Sequence, residues 1–190
     1  TGKDADDRII QLAYKAGSTI FEELYKPPLP VKVDAMAVHH ITNKMLEGKP
    51  SFQEGEQYTR LKGMFENNET VFVAHNAPFD IAMLKKEEIE VSAFIDTLKI
   101  ARHLDPEGKI PSHALQYLRY FLELDVEAKA HDALGDVYVL ETLFDRLLKK
   151  MEGNFGYMIE ISALPSLIAR FTFGKHNGKL INDVAKEDRG

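Results

Sequence analysis

The sequence predicts an α/β fold with a mixed sheet flanked by helices. Three observations predict it: a β-rich hairpin pattern at 8–25, short apolar strands alternating with helical segments from 42 to 122, and a long amphipathic run at 132–150. Residues 8–14 and 18–25 favour strands and are separated by Lys15-Ala16-Gly17, so they read as an antiparallel pair. The later strands, each followed by a helical pattern, read as parallel. Pro27-Pro28-Leu29-Pro30 ends the second strand and opens an extended loop that runs to His39-His40-Ile41-Thr42.

A short capped helix is expected at 42–46, stopped by Gly48 and Pro50. Ser51 with Glu54 three residues on forms a capping box for a helix over 52–65. Residues 70–74 read as a buried strand, and Pro78 suits the first turn of a helix reaching Lys86. A strand-like run at 90–95 leads to helices at 97–103 and 112–122. In the run 132–150, Leu134, Val137, Leu140, Phe144, Leu147 and Leu148 supply an apolar face. Beyond it, Asn154-Phe155-Gly156 reads as a linker, 161–170 as a short helix and 171–180 as a small hairpin. The expected division is therefore a main domain at 1–152 and a small appendage at 153–190, the appendage cut short at Gly190.

With 190 residues and 44% hydrophobic content, the chain can bury one full core. It has no apolar run of 18 residues, so no membrane partner is expected. The absence of cysteine excludes disulfides and thiolate metal sites and fits a reducing, cytoplasmic setting. A formal charge of −6 argues against broad charge-driven binding to duplex nucleic acid. It still permits an enzyme that grips one strand end through metal ions, because carboxylate ligands themselves add negative charge.

Two stretches carry the chemistry: His75-Asn76-Ala77-Pro78-Phe79-Asp80 and His131-Asp132-Ala133-Leu134-Gly135-Asp136. Carboxylates from separate segments, with a histidine nearby, are the inventory for holding Mg²⁺ and activating water on a phosphodiester. Alone, Asp80 would read as a first-turn acid complementing a helix dipole, and Asp136 as a harmless surface acid. His131 and Asp136 point about 140° apart on an ideal helix, so both cannot share one helical face. His131 is therefore placed on the loop or first turn before the helix, with Asp132 as N-cap, where an imidazole can act as general base. His39 and His40 do not form a zinc pair, because neighbours on an extended loop point apart and no cysteine completes the site. Phe79 is open to two roles, stacking on a base or packing in the core. His75, beside the buried strand, reads as structural.

Together these segments resemble the DEDDh (DnaQ-like) 3′–5′ exonucleases, which have an RNase H-like fold. Thr1-Gly2 matches the tail of that family's Asp-x-Glu-Thr-Thr-Gly motif, His75 to Asp80 its His-Asn-x-x-Phe-Asp, and His131 with Asp136 its His-x-x-x-x-Asp. Val38-His39-His40-Ile41-Thr42 is similar to the family's His-Gly-Ile-Thr loop, with His40 in place of glycine, and Asp96-Thr97-Leu98 to a common intervening segment. The resemblance implies metal-dependent removal of nucleoside 5′-monophosphates from the 3′ ends of single-stranded DNA or RNA. It implies two Mg²⁺ or Mn²⁺ ions held by Asp80, Asp136 and the family's first Asp and Glu. His131 would be the base, with His39 and Phe79 near the last nucleotide; a plain loop histidine is an equal reading of His39.

That first Asp-x-Glu would fall immediately before Thr1. The expectation is thus a trimmed polypeptide that lacks the first central strand and whose activity is impaired. The contrasting function is a non-catalytic nucleic-acid or protein-binding module on the same fold. Phe171 to Lys179 resembles a Phe-Gly-Lys-x-x-Gly-Lys module appended to some bacterial exonucleases. Its Lys175 and Lys179 read as solvated hairpin lysines or as contacts to a phosphate backbone.

Overall fold

The computed structural model describes residues 6–66, 69–126, 133–166, 168–171 and 174–187. His131 and Asp132, as well as Thr1-Gly2, lie outside the described residues. Strands β1 (Gln11–Ala16) and β2 (Thr19–Leu24) form an antiparallel hairpin in register from Gln11↔Leu24 to Ala16↔Thr19. The turn is therefore Gly17-Ser18, in place of the expected Lys15-Ala16-Gly17, with Gly17 at φ +59° as a tight hairpin turn requires. Strands β3 (Phe72–Ala74) and β4 (Phe94–Asp96) pair in parallel, Ala74 opposite Asp96. Among the described residues these are two separate two-stranded ribbons, with no hydrogen-bonded pairing between them.

The segment expected to be extended before His39 is instead helix α1 (Val33–His39). It buries none of its side chains, so it has no amphipathic stripe that a reader of the sequence could detect. His40, in the left-handed conformation at φ 61°, ends it. Thr42 caps a 3₁₀ turn at Asn43–Leu46. The helix expected over 52–65 is broken in two, a 3₁₀ turn at Phe52–Glu54 and α2 (Glu56–Glu66). At the break stands Gly55, where a Cβ would lie 2.8 Å from the ring of Tyr25. That ring is fully buried edge-on to Phe52, so the chain bends around it.

Helices α3 (Ala77–Lys86), α4 (Thr97–His103), α5 (Leu115–Phe121) and α6 (Ala133–Lys150) follow the expected order. On α6, Val139, Leu143 and Leu147 recur every fourth residue and are buried with Ile95, Ile100 and Leu118. A second cluster, including Ile9, Tyr25, Phe52, Phe65 and Leu84, joins the hairpin to α2 and α3. Lys15 of β1 meets Glu141 of α6 at 2.5 Å, a half-exposed pair contributing at most about 1 kcal/mol.

The region read as a linker is the start of helix α7 (Phe155–Ala163), and among the described residues of the helix expected over 161–170 only 161–163 are helical, as the end of α7. Asn154 caps α7 by accepting the Tyr157 amide at 3.0 Å, and Met158 and Ile161 complete the cluster around Leu143. The segment beyond returns through an isolated bridge, Arg170↔Leu180, before helix α8 (Ile181–Glu187). Arg170 donates from Nε to the Gly108 carbonyl and from Nη1 to the Gly178 carbonyl, both at 2.8 Å. Gly108 has φ +65°, and a Cβ there would lie 2.8 Å from Ala169 Cβ and 2.9 Å from Leu180 Cδ2. Among the described residues no helix is long and apolar enough to cross a membrane.

Candidate active site

The parallel strands β3 and β4 both end at one edge, and the chain turns from each directly into a helix. Ligand sites in open α/β sheets form at this carboxyl edge. After Ala74, Asn76 adopts the left-handed conformation (φ 70°) and starts α3, with Pro78 in its first turn. Asp96, only 1% exposed, holds this turn. Its Oδ1 accepts the Asn76 amide at 2.9 Å and the Leu98 amide at 3.0 Å, so one carboxylate fixes both strand-to-helix junctions. The Asp96 amide in turn donates to Ser162 Oγ of α7 at 2.8 Å.

Asp80 thereby sits in the first turn of α3. Burial pushes its carboxyl up to about 6, its own backbone contact opposes the rise, and the nearby Asp96 adds to it. Among the described residues no side-chain cation contributes to that balance. A half-buried carboxylate without a compensating positive charge is suited to receive one, as a metal ligand is. Phe79, 38% exposed beside it, does not belong to either large core cluster and offers its ring to the surface.

Asp136 lies in the first turn of α6, half-buried, and its Oδ1 accepts Gln116 Nε2 of α5 at 2.5 Å. This partner, twenty residues away in sequence, fixes the carboxylate's orientation while leaving Oδ2 outside that bond. His39 ends α1, and its Nδ1 accepts the Ile41 amide at 3.0 Å. Its Nε2 is buried without a hydrogen-bond partner, and burial lowers its pKa. Among the described residues no three histidine or carboxylate side chains converge as a metal site. Asp80 and Asp136 are thus placed on the opening turns of different helices, and His131 lies outside the described residues.

His75 ties the site together from behind. Its Nε2 is 2.8 Å from the His113 carbonyl, which can only accept, so Nε2 carries the proton. Thr97 Oγ1 lies 2.9 Å from Nδ1 and 3.1 Å from the Ala74 carbonyl, so its one hydroxyl proton is shared between the two acceptors. Burial, the largest influence, lowers the His75 pKa below its usual 6.5. An imidazole that resists protonation when folded favours the native state less as pH falls, because the unfolded chain takes up the proton more readily. Stability is therefore full above the ordinary histidine range and lost progressively below about pH 6.5. Urea unfolding at about pH 7.5 and about pH 5.5 should show this loss, and His75→Gln should flatten the slope. An unchanged slope in the variant would assign the acid sensitivity elsewhere; His39 and His113 are lowered by burial too.

Gln116 and Asp96 carried no role in the sequence reading. Asp96 had a local signal, an acid at a strand-to-helix junction followed by Thr-Leu. Gln116 had none, since its partner is set by the packing of α5 on α6. A hollow of about 830 Å³ lies elsewhere, beside β2. Glu22, Glu23, Glu54 and Glu56 line it, which disfavours a phosphate ligand.

The fold is that of the DnaQ-like exonucleases. The RNase_T exonuclease family matches residues 1–144. Exodeoxyribonuclease 10 of Escherichia coli (strain K12) is 34% identical over 171 residues, covering 88% of this chain and 72% of that one. A DNA polymerase III subunit epsilon-like protein of Rhodobacter capsulatus is 27% identical over 192 residues; the match spans 94% of this chain but 25% of the relative. Among solved structures, exonuclease X in complex with 5′ overhanging duplex DNA superposes with a TM-score of 0.62 at 24% identity, covering 84% of this chain and 94% of that one. The chain belongs to the RNase_T exonuclease family and has its RNase H-like fold.

Proposed function

We propose that the chain is the catalytic domain of a metal-dependent 3′–5′ exonuclease that releases nucleoside 5′-monophosphates from single-stranded DNA or RNA ends. The observation that carries this reading is Asp80. It is a carboxylate at the carboxyl edge of β3, partly desolvated and uncompensated by any described cation, within a motif that matches the family in every fixed position. Asp80 and Asp136 would hold Mg²⁺ or Mn²⁺ together with the family's Asp-x-Glu. When bound, such ions lower the pKa of water and neutralise charge on the leaving 3′ oxygen. His131 takes the proton of the attacking water, Gln116 keeps Asp136 oriented, and Phe79, with His39, contacts the terminal base. Residues 153–190 form an appendage to the domain at 1–152, joined through α7 and through Arg170. A role in replication or repair, in the cytoplasm, fits the relatives named above.

Cleavage should start from a free 3′ hydroxyl. Incubation of linear, 3′-phosphorylated and circular single strands with Mg²⁺ or Mn²⁺ and the polypeptide that carries the family's Asp-x-Glu should degrade only the first to monophosphates. Equal cutting of the circle would identify an endonuclease and overturn the proposal. Binding of linear strands without any cutting would leave the binding-module function instead.

A further inference from the structure

Helix α5 exposes an aromatic face that neither the core nor the proposed chemistry uses. Leu118 is completely buried and Leu115 and Leu122 pack against the same core, which sets the inner face of the helix. The opposite face carries Tyr117, Tyr120 and Phe121, exposed by 38%, 68% and 49%. Tyr117 and Phe121, one turn apart, lie nearly parallel, with ring centres 5.8 Å apart and planes 21° apart. The Arg119 guanidinium stands 5.4 Å from the centre of the Tyr120 ring. Three large rings left in water on one seven-residue helix cost folding free energy that burial would recover, so the face is suited to a ligand.

Its position says which ligand. Gln116, on the same helix, holds Asp136, and Tyr120 follows Gln116 by one turn on the same side. The loop just before α5 is held to the end of β3 by the bond from His75 to the His113 carbonyl. The helix that carries the aromatic face is thus tied to both acid-bearing segments. Every base has a π-face that aromatic rings can stack, and an arginine beside the rings supplies positive charge in a chain that is acidic overall.

We propose that Tyr117, Tyr120 and Phe121 form a stacking platform for unpaired nucleotides upstream of the 3′ end, outside the site that holds the terminal nucleotide. The proposal rests on the exonuclease reading above and adds a length dependence to it. A strand long enough to reach the platform gains stacking with each engaged base, whereas a dinucleotide occupies only the cleavage site. No sequence preference is expected, because ring faces do not distinguish bases by hydrogen bonding.

The test takes as parent the active polypeptide that carries the family's Asp-x-Glu, and compares it with Tyr117→Ala/Phe121→Ala and with Tyr117→Phe, on a single strand of about twelve nucleotides and on a dinucleotide. The double variant should bind the longer strand about 10- to 100-fold more weakly, with kcat/KM on the dinucleotide within about twofold of the parent. Tyr117→Phe, which keeps the ring, should behave as the parent. Unchanged affinity for the longer strand would overturn the platform while leaving the nuclease reading intact, and so would an equal loss on both substrates. A shift from dimer to monomer in the double variant, without a binding change, would identify the face as a contact between copies and also overturn it. A parent protein that neither binds nor cuts either substrate would remove the nuclease reading and the platform with it.

Discussion

Asp136→Asn is expected to abolish turnover, whereas His131→Ala should lower kcat by about 10²- to 10⁴-fold with metal affinity nearly intact. The difference follows from what each side chain is proposed to supply. Asp136 is held by Gln116 through one oxygen, and asparagine can preserve that bond. It cannot preserve the negative charge that a divalent cation requires, and its amide protons would face the ion. His131 is proposed to accept a proton and to bind no ion, so its removal leaves the charge balance of the site unchanged. Mn²⁺ titration by calorimetry, paired with single-turnover cleavage in the active polypeptide, separates the two effects. If His131→Ala weakens Mn²⁺ binding as much as Asp136→Asn does, the assignment of the base is wrong.

The second large effect concerns Asp96. Its replacement by alanine leaves the amides of Asn76 and Leu98 without their acceptor in the interior. Hydrogen bonds to a charged group contribute roughly 1.5–3 kcal/mol each, so a loss of about 3 kcal/mol or more is expected. For a chain of this length that corresponds to a fall in Tm of roughly 6–12 °C. Asp96→Asn retains an oxygen where Oδ1 stands and makes both bonds neutral, so it should lose about half as much as the alanine variant. Because the Asn76 turn aims Asp80, the alanine variant should also bind Mn²⁺ more weakly at temperatures where it remains folded. An alanine variant melting within about 1 °C of the parent would show that other groups hold the two junctions.

Where local rules govern the backbone, the sequence was readable. Asn76 and Pro78 announce the turn into α3, and the boundaries of α4 were found because Asp96-Thr97 marks a start and Arg102-His103 an end. The apolar face read at 132–150 gave the length of α6 to within a residue, but the helix buries Val139, Leu143 and Leu147, and only Leu147 belonged to that face. The misses have a common origin in side chains that meet across long separations. Gly55 breaks a well-capped helix because the Tyr25 ring occupies the space beside it. Phe155-Gly156 resembles a linker until Met158 and Ile161 are seen to fill the core around Leu143. Helix α1 follows a proline-rich stretch and buries no side chain, so neither composition nor periodicity marks it. Within the candidate site, Asp80 and Asp136 were placed near helix starts by their motifs alone. Gln116 could not be found that way, because nothing near it in sequence resembles its partner.

The fit of Gly108 against Ala169 and Leu180 makes that one position a marker that can be read in other chains. With its left-handed backbone and no room for a Cβ, position 108 tolerates a side chain only if residues 169–180 move away. Relatives that carry the C-terminal segment in this placement should therefore keep glycine there, together with an arginine equivalent to Arg170 that reaches its carbonyl. Relatives that have lost or rearranged the segment are free of that clash, and only the left-handed backbone then favours glycine there. A single letter far upstream would thus report how the last part of the chain is attached, and joint variation of these positions across related sequences would reveal it without a structure.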